Sequence, residues 1–226
     1  MPVDWLKGGL KLQGSPLWFD ARRKAEVSFV SHAHTDHIAR HARAIGTKET
    51  LLLMQHRVGT IDDTVALDYG EAFPFEDLTL ELFPAGHVLG AAQVRVTRPD
   101  GHRVVYTGDF SPGEFLTAKR SETPACDTLI IESTFGHPKY RFPPRADVYD
   151  EVAAWCRRHL ERGVRPLLFA YSLGKSQESI QQLAARGLRV AAHESIHAIS
   201  TLYSQLGVTI DARRFDGTFH EGEVGL

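Results

Sequence analysis

The stretch His32-Ala33-His34-Thr35-Asp36-His37 sets three imidazoles and a carboxylate within six consecutive positions, directly after the apolar run Val27-Ser28-Phe29-Val30. Imidazole nitrogen and carboxylate oxygen are ligands that a divalent cation such as Zn2+ takes, so the chemistry open to this pattern is metal binding. If a strand ends near Ser31, His32 and His34 project to the same side of an extended chain and can share one ion. Asp36 and His37 lie past the turn and suit a second ion. Two histidines leave a site incomplete, and further donors stand downstream. His87 lies in Pro84-Ala85-Gly86-His87-Val88-Leu89-Gly90, where flanking glycines permit close backbone approach. Asp109 follows Gly108, where the run Arg103-Val104-Val105-Tyr106 gives way to a loop, and a carboxylate there can bridge two cations.

Those residues need strands that end together. Alternation and apolar runs predict short strands at 9–13, 17–20, 26–30, 50–53, 78–83, 91–97, 103–107 and 128–132, with one helix at 35–44 between them. From about 145 the pattern changes to a helix at 146–161, a strand at 166–171, a helix at 175–186, a strand at 188–192 and a helix at 196–206. That alternation suggests parallel βαβ units. The proline-rich joint Phe142-Pro143-Pro144-Arg145 predicts a boundary, giving one domain over 1–142 and a second over 143–226. Ser172-Leu173-Gly174-Lys175-Ser176 starts a helix after a buried strand, and Gly174, Lys175 and Ser176 there suit a phosphate contact.

The order His-x-His-x-Asp-His, Gly-His and Gly-Asp at strand ends resembles the metallo-β-lactamase superfamily. Ala85-Gly86-His87-Val88-Leu89-Gly90, Tyr106-Thr107-Gly108-Asp109-Phe110 and Ile130-Ile131-Glu132-Ser133-Thr134-Phe135-Gly136 resemble the β-CASP nucleases within it. The run from Glu132 to Pro143, followed by Leu168-Phe169-Ala170-Tyr171-Ser172-Leu173-Gly174-Lys175-Ser176-Gln177, is similar to the bacterial ligase-associated DNA exonucleases. The resemblance implies an α/β fold: a metallo-β-lactamase αββα sandwich, then the start of a β-CASP α/β domain. It implies two zinc ions, with Mn2+ as an alternative: His32, His34 and His87 on one, Asp36 and His37 on the other, Asp109 between them. Asp20 would orient a histidine from behind, and Glu132 would stand beside the metals. Asp36, Asp109 and Glu132 are the expected catalytic carboxylates. The activity implied is phosphodiester hydrolysis by a metal-bound hydroxide on a nucleic acid, DNA before RNA, with a DNA ligase as an associated partner. The family pattern also has two further histidine motifs after the inserted domain. Neither precedes Leu226, so the expectation is a shortened form of a longer protein.

A formal net charge of -2 and a pI near 6.6 exclude a uniformly basic nucleic-acid footprint, so phosphate attraction must come from local patches and metals. Cys126 and Cys156 are the only cysteines, which predicts neither a disulfide framework nor a cysteine zinc site. No apolar stretch approaches membrane-span length, and the expected location is the cytoplasm with no membrane partner. The leading expectation is a zinc-dependent DNA exonuclease. The alternatives are an RNA-processing β-CASP ribonuclease, a small-molecule hydrolase of an ester, thioester or lactam, and a noncatalytic nucleic-acid-binding scaffold.

Overall fold

The computed structural model describes residues 2–226, which divide into two units, the first ending at Glu132 and the second running Ser133–Leu226. The division falls ahead of the proline joint expected to mark it, since Phe142 and Pro143 line a cavity with residues of the second unit.

Two sheets build the first unit. One has the order β1 (Val3–Leu6), β2 (Gly9–Leu12), β3 (Leu17–Phe19), β4 (Val27–Phe29), β5 (Arg43–Gly46), β6 (Asp63–Ala66); β1 to β3 pair antiparallel and β3 to β6 parallel. In the other, β7 (Ala72–Phe75), β8 (Leu78–Pro84), β9 (Ala92–Thr97) and β10 (Arg103–Tyr106) run antiparallel, and β11 (Thr128–Ile130) joins β10 in parallel. Strict alternation of buried and half-buried side chains along β8 puts Leu78, Leu80 and Leu82 on one face. They pack with Val94 and Val96 of β9 against Leu17, Phe19, Val27, Phe29 and Ile45 of the first sheet. A continuous apolar core thus sits between the sheets and fixes the level at which their strands end.

Two expected elements differ. Residues 35–42 form turns and extended loop, not a helix, because the chain must return at once to pair β5 with β4; Ala42 and Arg43 already donate to the carbonyls of Ala25 and Glu26. Residues 50–53 lie in a helix, α1 (Lys48–Val58), not a strand: the Thr47 hydroxyl caps it by accepting from the Thr50 N–H, and an apolar run of four does not by itself separate strand from buried helix.

The second unit contains α2 (Arg145–Leu160), α3 (Lys175–Ala184), β12 (Arg189–Ala192), α4 (Glu194–Gln205), β13 (Arg213–Arg214) and β14 (Glu223–Gly225). β12 is the central strand of a parallel sheet between β13 and β14. The expected strand at 166–171 reduces to a single parallel bridge from Leu167 to Gly225, with Phe169 and Tyr171 exposed. This is a mixed α/β architecture, with three sheets and four helices among the described residues. Among the described residues no helix is long and apolar enough to cross a membrane.

Candidate metal centre

β4 ends at Phe29, and the chain that leaves it carries His32, His34 and His37 past the edge of the first sheet. β8 leads to His87 and β10 to Asp109, at the ends of strands in the second sheet. Gly108 makes the last approach possible: its φ is +55°, and a Cβ on it would run into the Ser31 side chain. Gly86, with φ at +72°, is equally constrained ahead of His87, since a Cβ there would meet the Ser111 carbonyl.

Four donor atoms converge. His34 Nδ1 lies 2.9 Å from His32 Nε2 and 3.2 Å from His87 Nε2. Asp109 Oδ2 stands 3.9 Å from His32 Nε2 and 3.8 Å from His87 Nε2. A tetrahedral ion with bonds of about 2.0–2.1 Å separates its ligands by about 3.3–3.4 Å, so these spacings bracket what one such ion needs. The other Asp109 oxygen, Oδ1, is 3.4 Å from His37 Nε2, which itself lies 3.5 Å from Asp36 Oδ2. Asp109 therefore turns one oxygen towards each group of donors. Asp36 is exposed at the outer side; Glu132 is half-buried and adds its charge to the field at Asp109.

Behind the histidines stands Asp20, buried at 5% exposure with φ at +45°. Its Oδ1 accepts from the Ser31 N–H at 2.7 Å; Oδ2 accepts from the Ser31 hydroxyl at 2.5 Å, from His37 Nδ1 at 2.8 Å and from the Tyr106 hydroxyl at 2.8 Å. Since the Ser31 hydroxyl spends its proton on Asp20, its 3.0 Å contact with His32 Nδ1 has the imidazole as donor. Both His32 and His37 thus carry the proton on Nδ1, one through Ser31 and one directly. Each turns its Nε2 lone pair to the cluster, the arrangement a carboxylate behind a metal-binding histidine produces. Ser31 and Tyr106 were not legible as site residues in the sequence; only the position of Ser31 next to His32 offered a hint.

Electrostatics agree with a cation site. Burial, then the neighbouring imidazoles of His37, His34 and His87, hold His32 well below the usual histidine range, so it is neutral as a ligand must be. Burial would lower His37 too, but the Asp20 hydrogen bond and charge, with Asp109 and Asp36, raise it. Burial pushes the Asp109 carboxyl up; His37 opposes this, while Glu132, Asp36 and Asp20 add to it. Such crowding of carboxylates is relieved by a positive ion. The donor set fits divalent metal binding.

The helix start in the second unit is less open than its spacing suggests. The Gly174 N–H donates to the Gln177 side chain at 2.7 Å, and the Ser176 N–H and hydroxyl both donate to the Tyr171 carbonyl. Ser176 is fully buried. Of the three residues expected to meet phosphate, Lys175 alone is exposed.

No family model matches the sequence. Over 221 residues, 96% of this chain, it is 36% identical to a probable DNA ligase of Opitutus terrae, of which it spans 21%. It is 37% identical over 126 residues, 55% of this chain, to an uncharacterized protein in the lig 3′ region of Acidianus ambivalens, of which it spans 84%. RNase aCSPSF2 of Saccharolobus solfataricus is 28% identical over 194 residues, 72% of this chain and 39% of that protein. A protein of unknown function from Enterococcus faecalis V583 shares the fold, with TM-score 0.54 and 15% identity over 88% of this chain and 54% of its own. Convergent donors at the strand ends and these relatives lead to one conclusion: the chain belongs to the metallo-β-lactamase superfamily, in its β-CASP nuclease branch.

Proposed function

We propose that the chain carries the metal-binding part of a phosphodiester hydrolase that holds two zinc ions and cuts nucleic acid, DNA in preference to RNA, as an exonuclease. The observation that carries this reading is Asp109, whose two oxygens face two separate groups of donors. His32, His34 and His87 would hold one ion with Asp109; His37, Asp36 and Asp109 would hold the other. Bound there, divalent cations polarise a phosphoryl oxygen and acidify water. Asp20 supplies orientation, since by fixing His37 directly and His32 through Ser31 it keeps both Nε2 atoms on target without ordering cost during the reaction. Glu132 extends the negative rim beside Asp109, and Lys175 offers one of the second unit's exposed cations to a phosphate. The relative named a probable DNA ligase supports DNA and a ligase association; the relative named RNase aCSPSF2 favours RNA as the second reading.

The test incubates the Zn2+-loaded or Mn2+-loaded chain with end-labelled single-stranded DNA, duplex DNA and RNA. Metal-dependent shortening from one end of DNA, abolished in Asp109→Ala, is expected. Internal cuts confined to RNA move the assignment to the second reading. Full metal content in both Asp109→Ala and His32→Ala by elemental analysis overturns the ligand set.

A further inference from the structure

Between Ser133 and Ala146 the chain carries Phe135, Tyr140 and Phe142, interleaved with Lys139, Arg141 and Arg145, and neither Asp nor Glu. The three aromatic rings are exposed, at 60%, 41% and 68%, yet they form an ordered cluster. Phe135 meets Tyr140 and Phe142 edge-on with centroids 5.3 and 5.1 Å away, while Tyr140 and Phe142 lie within 7° of parallel at 6.4 Å. The Lys139 ammonium sits 4.9 Å from the Tyr140 ring centre. Two turns hold the segment, with the Gly136 N–H on the Ser133 carbonyl at 2.9 Å and the Tyr140 N–H on the His137 carbonyl at 3.0 Å. Pro138, Pro143 and Pro144 fix three further φ angles. The rings are thus arranged before anything binds, and little ordering cost remains.

Phe142 also lines a cavity of about 410 Å³ with Arg145, Tyr149, Lys175 and Ser179. Partial burial, then the charge of Arg145, depresses the Lys175 pKa, against an opposing contribution from the buried Glu178. Along residues 133–146, aromatic faces interleaved with cations, with no acid among them, complement a chain of planar bases joined by phosphates.

We propose that this surface is a stacking platform for single-stranded nucleic acid, with unpaired bases on Phe135, Tyr140 and Phe142 and backbone phosphates on Lys139, Arg141 and the cations of the adjoining cavity. The proposal rests on the nuclease reading for its biological sense and extends it to the form of the substrate: a duplex keeps its base faces stacked inside, so a frayed or single-stranded end is what the platform holds.

Binding without turnover tests it. The full chain in EDTA is titrated into a labelled 16-nucleotide single strand and into a duplex of equal length, read by fluorescence anisotropy. Single-strand affinity falls about ten-fold or more in Tyr140→Ala/Phe142→Ala, duplex affinity stays unchanged, and Tyr140→Phe binds as the parent does. In Lys139→Gln the slope of log affinity against log salt drops by about 0.7, one phosphate contact on a single strand. Circular dichroism confirms that these exposed replacements leave the fold intact. Single-strand affinity equal to the parent's in the double variant overturns the proposal, as does an equal loss for duplex. A change in self-association alone, seen by sedimentation, also overturns it in favour of a contact between copies. A chain that binds through these rings in EDTA yet cleaves nothing when loaded with Zn2+ or Mn2+ refutes the nuclease reading and leaves the platform standing.

Discussion

Replacing Asp20 by Asn keeps the side chain's shape and removes its charge, which isolates the work the carboxylate does. Four donors meet it: the Ser31 N–H on Oδ1, and the Ser31 hydroxyl, His37 Nδ1 and Tyr106 hydroxyl on Oδ2. An asparagine has one oxygen and one NH2. If its oxygen faces the Ser31 amide, the NH2 points at three former donors; the two hydroxyls can turn to accept, but His37 loses its acceptor. In the opposite orientation the NH2 confronts the Ser31 N–H, which cannot turn. Either way one buried donor is stranded, at about 1–3 kcal/mol, and the surviving bonds lose their charge assistance, so the total is about 3 kcal/mol. For a chain of this size that lowers the thermal midpoint by roughly 6–12 °C. Since His37 also loses its orientation, metal affinity should fall about 10–100-fold. Tyr106→Phe is the control, because it removes a donor without stranding one and should cost only about 1 kcal/mol. Differential scanning calorimetry and competition with a chromogenic chelator measure the two quantities. An Asp20→Asn midpoint within about 2 °C of the parent together with unchanged metal affinity refutes the reasoning, and so does a Tyr106→Phe loss as large as that of Asp20→Asn.

Gly108→Ala should destabilise the chain by about 2 kcal/mol or more, from the positive φ and the collision with Ser31, and lower metal content as well; a midpoint equal to the parent's would show that the loop can move aside. Burial holds His41 down at about 4, with its Nδ1 accepting from the Ala25 N–H, so by NMR its ring should titrate near 4 and stay neutral at pH 7. Because the unfolded chain takes up that proton near 6.5 and the folded one does not, His41 lowers stability as pH falls from about 6.5 to 4; His41→Gln should flatten that window in pH-dependent melts. Glu223 behaves oppositely in origin. The Arg213 hydrogen bonds hold its carboxyl at about 2, against an ordinary 4.5, so its stabilisation is full above about 4.5 and is lost as pH falls towards 2. Glu223→Gln should remove that acid dependence, and an unchanged acid-unfolding profile would count against the pair.

What the sequence made legible was local. His32 through His37 reveal themselves because the donors are consecutive, and His87 and Asp109 because a glycine precedes each at a strand end. Ser31 and Tyr106 stayed hidden because their role depends on which strands lie side by side: Asp20 reaches Ser31 only because β3 pairs in parallel with β4. Pairing overrode local pattern again at residues 35–42, where a helix would have prevented β5 from returning to β4. In the second unit, helix periodicity located α2, α3 and α4, whereas the single bridge that remains of the expected strand at 166–171 depends on β14, since Leu167 pairs with Gly225, 58 residues further along the chain.

The two sheets contribute unequal halves of the proposed cation site, three histidines from beyond β4 and one histidine with one aspartate from beyond β8 and β10. A cation held there would act as a rivet through the sandwich, tying its layers together at the rim where the apolar core ends. Binding energy and folding energy then become the same quantity. Trimming a core side chain such as Phe29 would register first as a loss of metal at unchanged ligands, and chelation would loosen a core that no metal touches.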